Sequence, residues 1–283
     1  MHLTPRLLTA LLLPLLAFTA QADSLRPIDS ANSSDSTHTE TSAASIHSKT
    51  VDYQDGETKL TGYLYYPADT TQPRPGVIVV HEWWGLNDYA KQRARMLAEL
   101  GYVAFAIDMY GDDRVTSHAP DAKGWMQQIT EHVEAWQARA LAGLEILAAD
   151  PKVDAERLAA VGYCFGGATV MQMAYAGADL DGVVSFHGSL PPAPENLTTL
   201  KPSVLAAHGA ADAFVPPAKV AAFQQSLEAI DADWEFVAYG GARHAFTNPN
   251  AADYGIDNVA YHAKADQRSW ALMQDFLTEV FAD

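Results

Sequence analysis

Residues Gly162-Tyr163-Cys164-Phe165-Gly166-Gly167 decide how this chain is read. They follow Arg157-Leu-Ala-Ala-Val161, a short apolar run with strand character, and precede Ala168-Thr-Val-Met-Gln-Met-Ala174, which has helical spacing. A strand that turns straight into a helix through G-x-C-x-G-G is a nucleophile elbow. The turn is so sharp that a side chain at Gly162 or Gly166 would meet neighbouring backbone. Cys164 is then presented at the carboxyl edge of a sheet, where the following amide and the helix N-terminus favour negative charge. A free cysteine is otherwise among the most buried residue types. Here strand, motif and helix coincide, which favours an exposed nucleophile over a space-filler.

Working outward, Thr58 to Tyr66 alternates polar and apolar residues like an antiparallel edge strand, and Gly76 to Val80 is a continuous apolar run like a strand covered on both faces. Helix and strand signals then alternate. The pattern predicts a helix over 88–100, a strand over 102–107, a helix near 131–149, a strand over 158–162, a helix over 167–176 and a strand over 182–186. A strand over 203–207, a helix over 217–230, a strand over 234–239 and a closing helix over 258–281 follow. Such alternation predicts an α/β fold with a mainly parallel central sheet and helices on both faces. Ligands of such sheets bind outside the carboxyl ends of the strands, so the loops that follow strands hold the candidate site residues.

A cysteine nucleophile needs an imidazole within reach and an acid to orient it. In α/β-hydrolases these follow the nucleophile in the order acid, histidine. Asp212 lies beyond the strand 203–207, and His244, among small residues that suit a mobile loop, lies beyond the strand 234–239. Of the ten histidines, His81, His187 and His208 also follow strands; each precedes the acid and reads as a structural side chain. Glu82 follows the first buried strand, where this fold places the second oxyanion amide. The backbone N–H groups of Trp83 and Phe165 are therefore the candidate oxyanion hole. No metal site is expected: His81-Glu82 lacks the second histidine of H-E-x-x-H.

Taken together, Glu82 with Gly85, Asp108-Met-Tyr110, the Cys164 elbow, Asp212 with Val215-Pro216, and His244 with Phe246 resemble the dienelactone hydrolase family of α/β-hydrolases. The resemblance spans nearly all of residues 50–283. It implies a Cys164, Asp212, His244 triad, and a Glu82 that holds the thiol at rest and helps deprotonate it when substrate binds. It also implies hydrolysis of a small ester or lactone without a cofactor. Two arginines that hold the lactone carboxylate in that family are unmatched: the places read Gly111-Asp112 and Thr247-Asn248. Arg114 and Arg243 are the nearby substitutes, and each is also a candidate for a surface ion pair. Trp83, Trp84, Tyr110 and Phe246 are candidates to line an aromatic-friendly pocket. A general carboxylesterase on neutral esters, a non-catalytic binding protein and a redox-responsive thiol on the same fold are the alternatives.

The N-terminus and composition bound the setting. Residues 1–22 carry Arg6, an apolar run from Leu7 to Phe18 interrupted by Pro14, and an A-x-A site at Ala20 and Ala22, which reads as a cleaved secretory signal. An uncleaved anchor is the alternative, although the run falls short of the about 20 residues a span needs. Residues 23–49 are rich in Ser, Thr, Ala and Asp and read as a flexible linker. Residues 50–283 then make one domain, expected to act as a monomer in the periplasm or outside the cell. The net charge of -17, spread along the chain, argues against nucleic acid and anionic membrane as partners. A single cysteine excludes an internal disulfide.

Overall fold

The computed structural model describes residues 45–282. The expected signal segment, 1–22, and the expected linker as far as residue 44 lie outside the described residues. Eight strands, β1 (Ile46–Asp55), β2 (Thr58–Pro67), β3 (Arg74–Val80), β4 (Val103–Ile107), β5 (Val153–Tyr163), β6 (Gly182–Phe186), β7 (Ser203–Gly209) and β8 (Trp234–Tyr239), form one sheet in the order β1-β2-β4-β3-β5-β6-β7-β8. From β4 to β8 every pairing is parallel, whereas β1–β2 and β2–β4 are antiparallel. The helices are α1 (Asp88–Glu99), α2 (Ala119–Thr130), α3 (Val133–Ala148), α4 (Phe165–Tyr175), α5 (Pro217–Glu228) and α6 (Ala263–Val280), with a 3-10 turn at Ala251–Tyr254.

The parallel strands alternate their side chains between two apolar cores, as the pleat requires. Along β3, Ile78 and Val80 join Trp136, Leu144, Met171 and Phe223 from α3, α4 and α5, while Val77 and Val79 join Leu97 and Met273 from α1 and α6. Each core therefore needs helices on its own face, and the expected three-layer arrangement follows.

Three elements differ from the sequence reading. Residues 46–49, assigned above to the linker, begin β1; most of that strand is exposed at the sheet margin, so its composition reads as polar. Helix α2 was not expected at all. Its apolar residues are few, and Trp125, Met126 and Ile129 pack only partly against the core, so tertiary contact rather than periodicity defines it. The closing helix begins at Ala263, not 258, because the segment before it pairs with the His244 loop through a parallel bridge to Val259.

Candidate active site

Cys164 sits between β5 and α4 with φ +55° and ψ −113°, a conformation costly for any residue with a Cβ. Neighbouring bonds hold it there. Its N–H is shared between the carbonyl of Phe186 (3.0 Å) and Nδ1 of His187 (3.1 Å). Its carbonyl accepts from the amides of Gly167 and Ala168. Glycine is required at both flanks, since a Cβ at Gly162 would run into the backbone of Gly166 and one at Gly166 into that of Val80. Phe165 is the first residue of α4, so its N–H has no acceptor within the helix.

His244 places Nε2 3.0 Å from Cys164 Sγ and Nδ1 2.7 Å from Asp212 Oδ2. Asp212 is itself fixed, accepting from the Phe214 amide (2.9 Å) and Asn258 Nδ2 (3.4 Å). The loop bearing His244 is pinned rather than mobile: its amide donates to the Asn258 carbonyl and its carbonyl accepts from Ala260. Burial pulls the His244 imidazole down, but the Cys164 sulfur and the Asp212 carboxylate on its two nitrogens outweigh it and raise the ring to about 10. Burial raises Asp212, yet the His244 hydrogen bond and charge leave its carboxyl below its ordinary value. Together they favour imidazolium beside a charged partner.

Glu82 is 2% exposed and accepts a 2.7 Å hydrogen bond from Asn248 Nδ2 at Oε2. The thiol's bonded partner in this structure is His244, while Glu82 faces Asn248. Burial raises the Glu82 carboxyl to about 7, against the lowering effect of Asn248. Burial holds the other buried histidines, His81, His187 and His208, below the ordinary imidazole value. Burial, with His244 and Arg93 nearby, holds His187 well below the ordinary imidazole range. Its Nδ1 accepts from Cys164, so its Nε2–H donates to Thr247 Oγ1 at 2.7 Å. Thr247 Oγ1 also meets Tyr89 Oη at 2.6 Å. The elbow and the His244 loop are thereby tied together through one ring.

A cleft of about 240 Å³ opens onto this group, lined by Glu82, Trp83, Trp84, Met126, Cys164 and Phe214, with His244, Ala245 and Val259 completing it. No arginine or lysine among the described residues lines it. Trp83 and Trp84 sit in the wall, and Trp84 is braced by Tyr254 stacked at 3.9 Å. The remaining pocket candidates lie elsewhere. Tyr110 turns its hydroxyl to the Trp83 carbonyl (3.1 Å) and stacks on Phe165. Phe246 is packed in the core against His187 and Tyr239. Arg114 pairs with Asp112 at the surface (3.2 Å), and Arg243 is exposed. Sequence reasoning missed Met126, Phe214 and Asn248. Met126 rides on the unexpected α2, and Phe214 is positioned by the turn at Asp212 and by edge-on packing against the His244 ring. Asn248 had a signal: it stands where the resemblance looked for a cation.

A profile of the dienelactone hydrolase family matches residues 60–281, most of the chain and all of the site. The chain belongs to the dienelactone hydrolase family. Its membership makes it an ester hydrolase on the α/β-hydrolase fold. Among solved structures, a dienelactone hydrolase-like promiscuous phosphotriesterase from metagenomic libraries is 40% identical with a TM-score of 0.81, covering 83% of this chain and 99% of that one. A Yersinia pestis protein, designated provisionally as a carboxymethylenebutenolidase, is 28% identical over 78% of this chain and 84% of its own length. An esterase of Thermogutta terrifontis, 20% identical with a TM-score of 0.60, covers 85% of this chain and 94% of its own and shares the fold. Within this dienelactone hydrolase-family chain, the lack of arginine and lysine among the described residues that line the cleft is the feature that bears on substrate.

Proposed function

We propose that this protein hydrolyses small neutral carboxylic esters or lactones through a Cys164–His244–Asp212 triad. The reading rests on one observation: a continuous hydrogen-bonded chain from Cys164 Sγ through His244 to Asp212 opens into a largely apolar cleft that no arginine or lysine among the described residues lines. Cys164 gives its proton to His244 Nε2, and the thiolate attacks the carbonyl carbon. The C=O electron pair moves onto oxygen, which the amides of Trp83 and Phe165 receive. The tetrahedral intermediate collapses, the C–O bond breaks, and imidazolium protonates the leaving alkoxide. Water then loses a proton to His244, adds to the thioester, and expels the thiol as the carboxylic acid leaves. Asp212 keeps the imidazole oriented and balances its charge throughout.

No arginine or lysine among the described residues lines the cleft, which disfavours an anionic lactone: the His244 ring is already engaged by Cys164 and Asp212, and no guanidinium or ammonium group repays the desolvation of a carboxylate. A second activity fits the same wall. The 40% identical neighbour is named a promiscuous phosphotriesterase, and a neutral aryl phosphotriester presents the same combination of uncharged centre and aromatic leaving group. In that case the thiolate attacks phosphorus and the aryl oxide leaves with a proton from His244; water that then gives a proton to His244 attacks phosphorus, breaks the P–S bond and releases the dialkyl phosphate and the thiol. Export of the mature protein from Asp23 onward is the setting we propose, supported by the leader-like residues 1–22.

Steady-state hydrolysis of a neutral aryl ester, a carboxylated dienelactone and a diethyl aryl phosphate by wild type and Cys164→Ala tests these readings. Turnover that depends on Cys164 and prefers the neutral ester is expected. Undiminished turnover by Cys164→Ala would remove the triad.

A further inference from the structure

His81 follows β3 directly, is completely buried, and does not itself line the cleft. Its ring is nevertheless bonded at both nitrogens. Nε2 accepts from the Met109 amide at 3.2 Å, and a neutral imidazole that accepts at Nε2 carries its proton at Nδ1. Nδ1–H therefore donates to the backbone carbonyl of Glu82, 2.5 Å away. Burial favours that neutral state.

The carbonyl of Glu82 and the N–H of Trp83 are the two ends of one planar trans peptide and point in opposite directions. Holding the oxygen fixes the direction of the N–H. The Gly85 amide adds a second, longer bond to the same oxygen (3.3 Å). The next peptide is held as well, since the Trp83 carbonyl accepts from Tyr110 Oη at 3.1 Å. Met109 and Tyr110 both lie in the loop after β4, so this loop clamps the Trp83 backbone through His81 on one side and a phenol on the other.

We propose that His81 is a positioning residue for ester hydrolysis, its Nδ1–H aiming the Trp83 amide at the oxyanion of the tetrahedral intermediate. The inference rests on the reading of Trp83 as an oxyanion donor. The ring itself does not touch substrate.

Asparagine and glutamine separate the two ring functions. An Asn amide nitrogen superposes on Nδ1 and keeps the bond to Glu82, whereas a Gln side chain reaches the place of Nε2 and leaves that carbonyl free. In full-length protein, His81→Gln is expected to lower kcat roughly 10- to 100-fold, less than the 10²–10³ seen when an oxyanion donor is removed outright. KM and the rate of Cys164 alkylation by iodoacetamide stay near wild type, and His81→Asn recovers most of the loss.

An aryl-acetaldehyde and its alcohol supply the second readout. Cys164 Sγ adds to the aldehyde carbon and the C=O pair moves onto oxygen, which then occupies the hole; the alcohol forms no such adduct. Wild type should bind the aldehyde more tightly, and His81→Gln should lose that preference alone. Wild-type kcat in His81→Gln, or equal losses in both variants that track melting temperature, would overturn the positioning role. A wild type with no preference for the aldehyde would instead overturn the oxyanion assignment of Trp83, and the inference with it.

Discussion

Asn248 Nδ2 donates to Glu82 Oε2 at 2.7 Å, so the acidic side chain in the cleft wall is met by a neutral amide, not a cation. A buried carboxyl with a neutral partner has little to offset the cost of its charge, and it keeps its proton toward pH 7.

The pair makes stability depend on pH. An unfolded glutamate titrates near 4.5 and the folded one near 7, so between these values the native state binds a proton that the unfolded state has released. Stability from this group is complete below about 4.5 and falls as pH rises through 7. Glu82→Gln, which still accepts from Asn248, should therefore be more stable than wild type at pH 8.5, by up to about 3 kcal/mol. The gain should vanish near pH 4. Urea unfolding at the two pH values measures it; a difference independent of pH would contradict the account.

Asp212→Asn should reduce kcat by at least about 10²-fold with KM little changed. The Asn amide can donate to His244 Nδ1, which favours the tautomer whose Nε2–H cannot take the thiol's proton. Burst kinetics on an aryl ester, with near-ultraviolet circular dichroism to check the fold, would expose the defect. Retention of half the wild-type rate would show that the 2.7 Å contact does not set the imidazole's state.

Arg114→Ala is expected to leave kcat/KM within about twofold on a neutral ester and on a carboxylated lactone alike. Its guanidinium is spent on Asp112 at an exposed site outside the cleft, where such pairs contribute about 0–1 kcal/mol. A selective loss on the lactone would return Arg114 to the substrate site.

Gly162→Ala should cost about 3 kcal/mol or more, because its Cβ meets the backbone of Gly166, which cannot turn aside as a side chain can. For a domain of this size that corresponds to a fall of roughly 6–12 °C in Tm. Differential scanning calorimetry would test it, and an unchanged Tm would mean the elbow can open.

Much of the protein was legible along the chain. The elbow around Cys164, the chain order of Asp212 and His244, and the strands Gly182–Phe186 and Trp234–Tyr239 are local signals: close glycines, apolar runs and spacing. They are set by sterics within a few residues, so the sequence by itself determined the α/β class and the identity of the three groups now found in one hydrogen-bonded chain. Only the tertiary structure decided what surrounds them. Arg114 lies beside an exposed aspartate, Phe246 in the core, Met126 in the cleft wall, and Asn248, 166 positions away in sequence, on Glu82. Apart from the local, exposed Arg114–Asp112 pair, each of those outcomes is a long-range contact whose energy comes from burial and from pairing polar groups away from water, and no pattern along the chain encodes which distant residue will supply the partner.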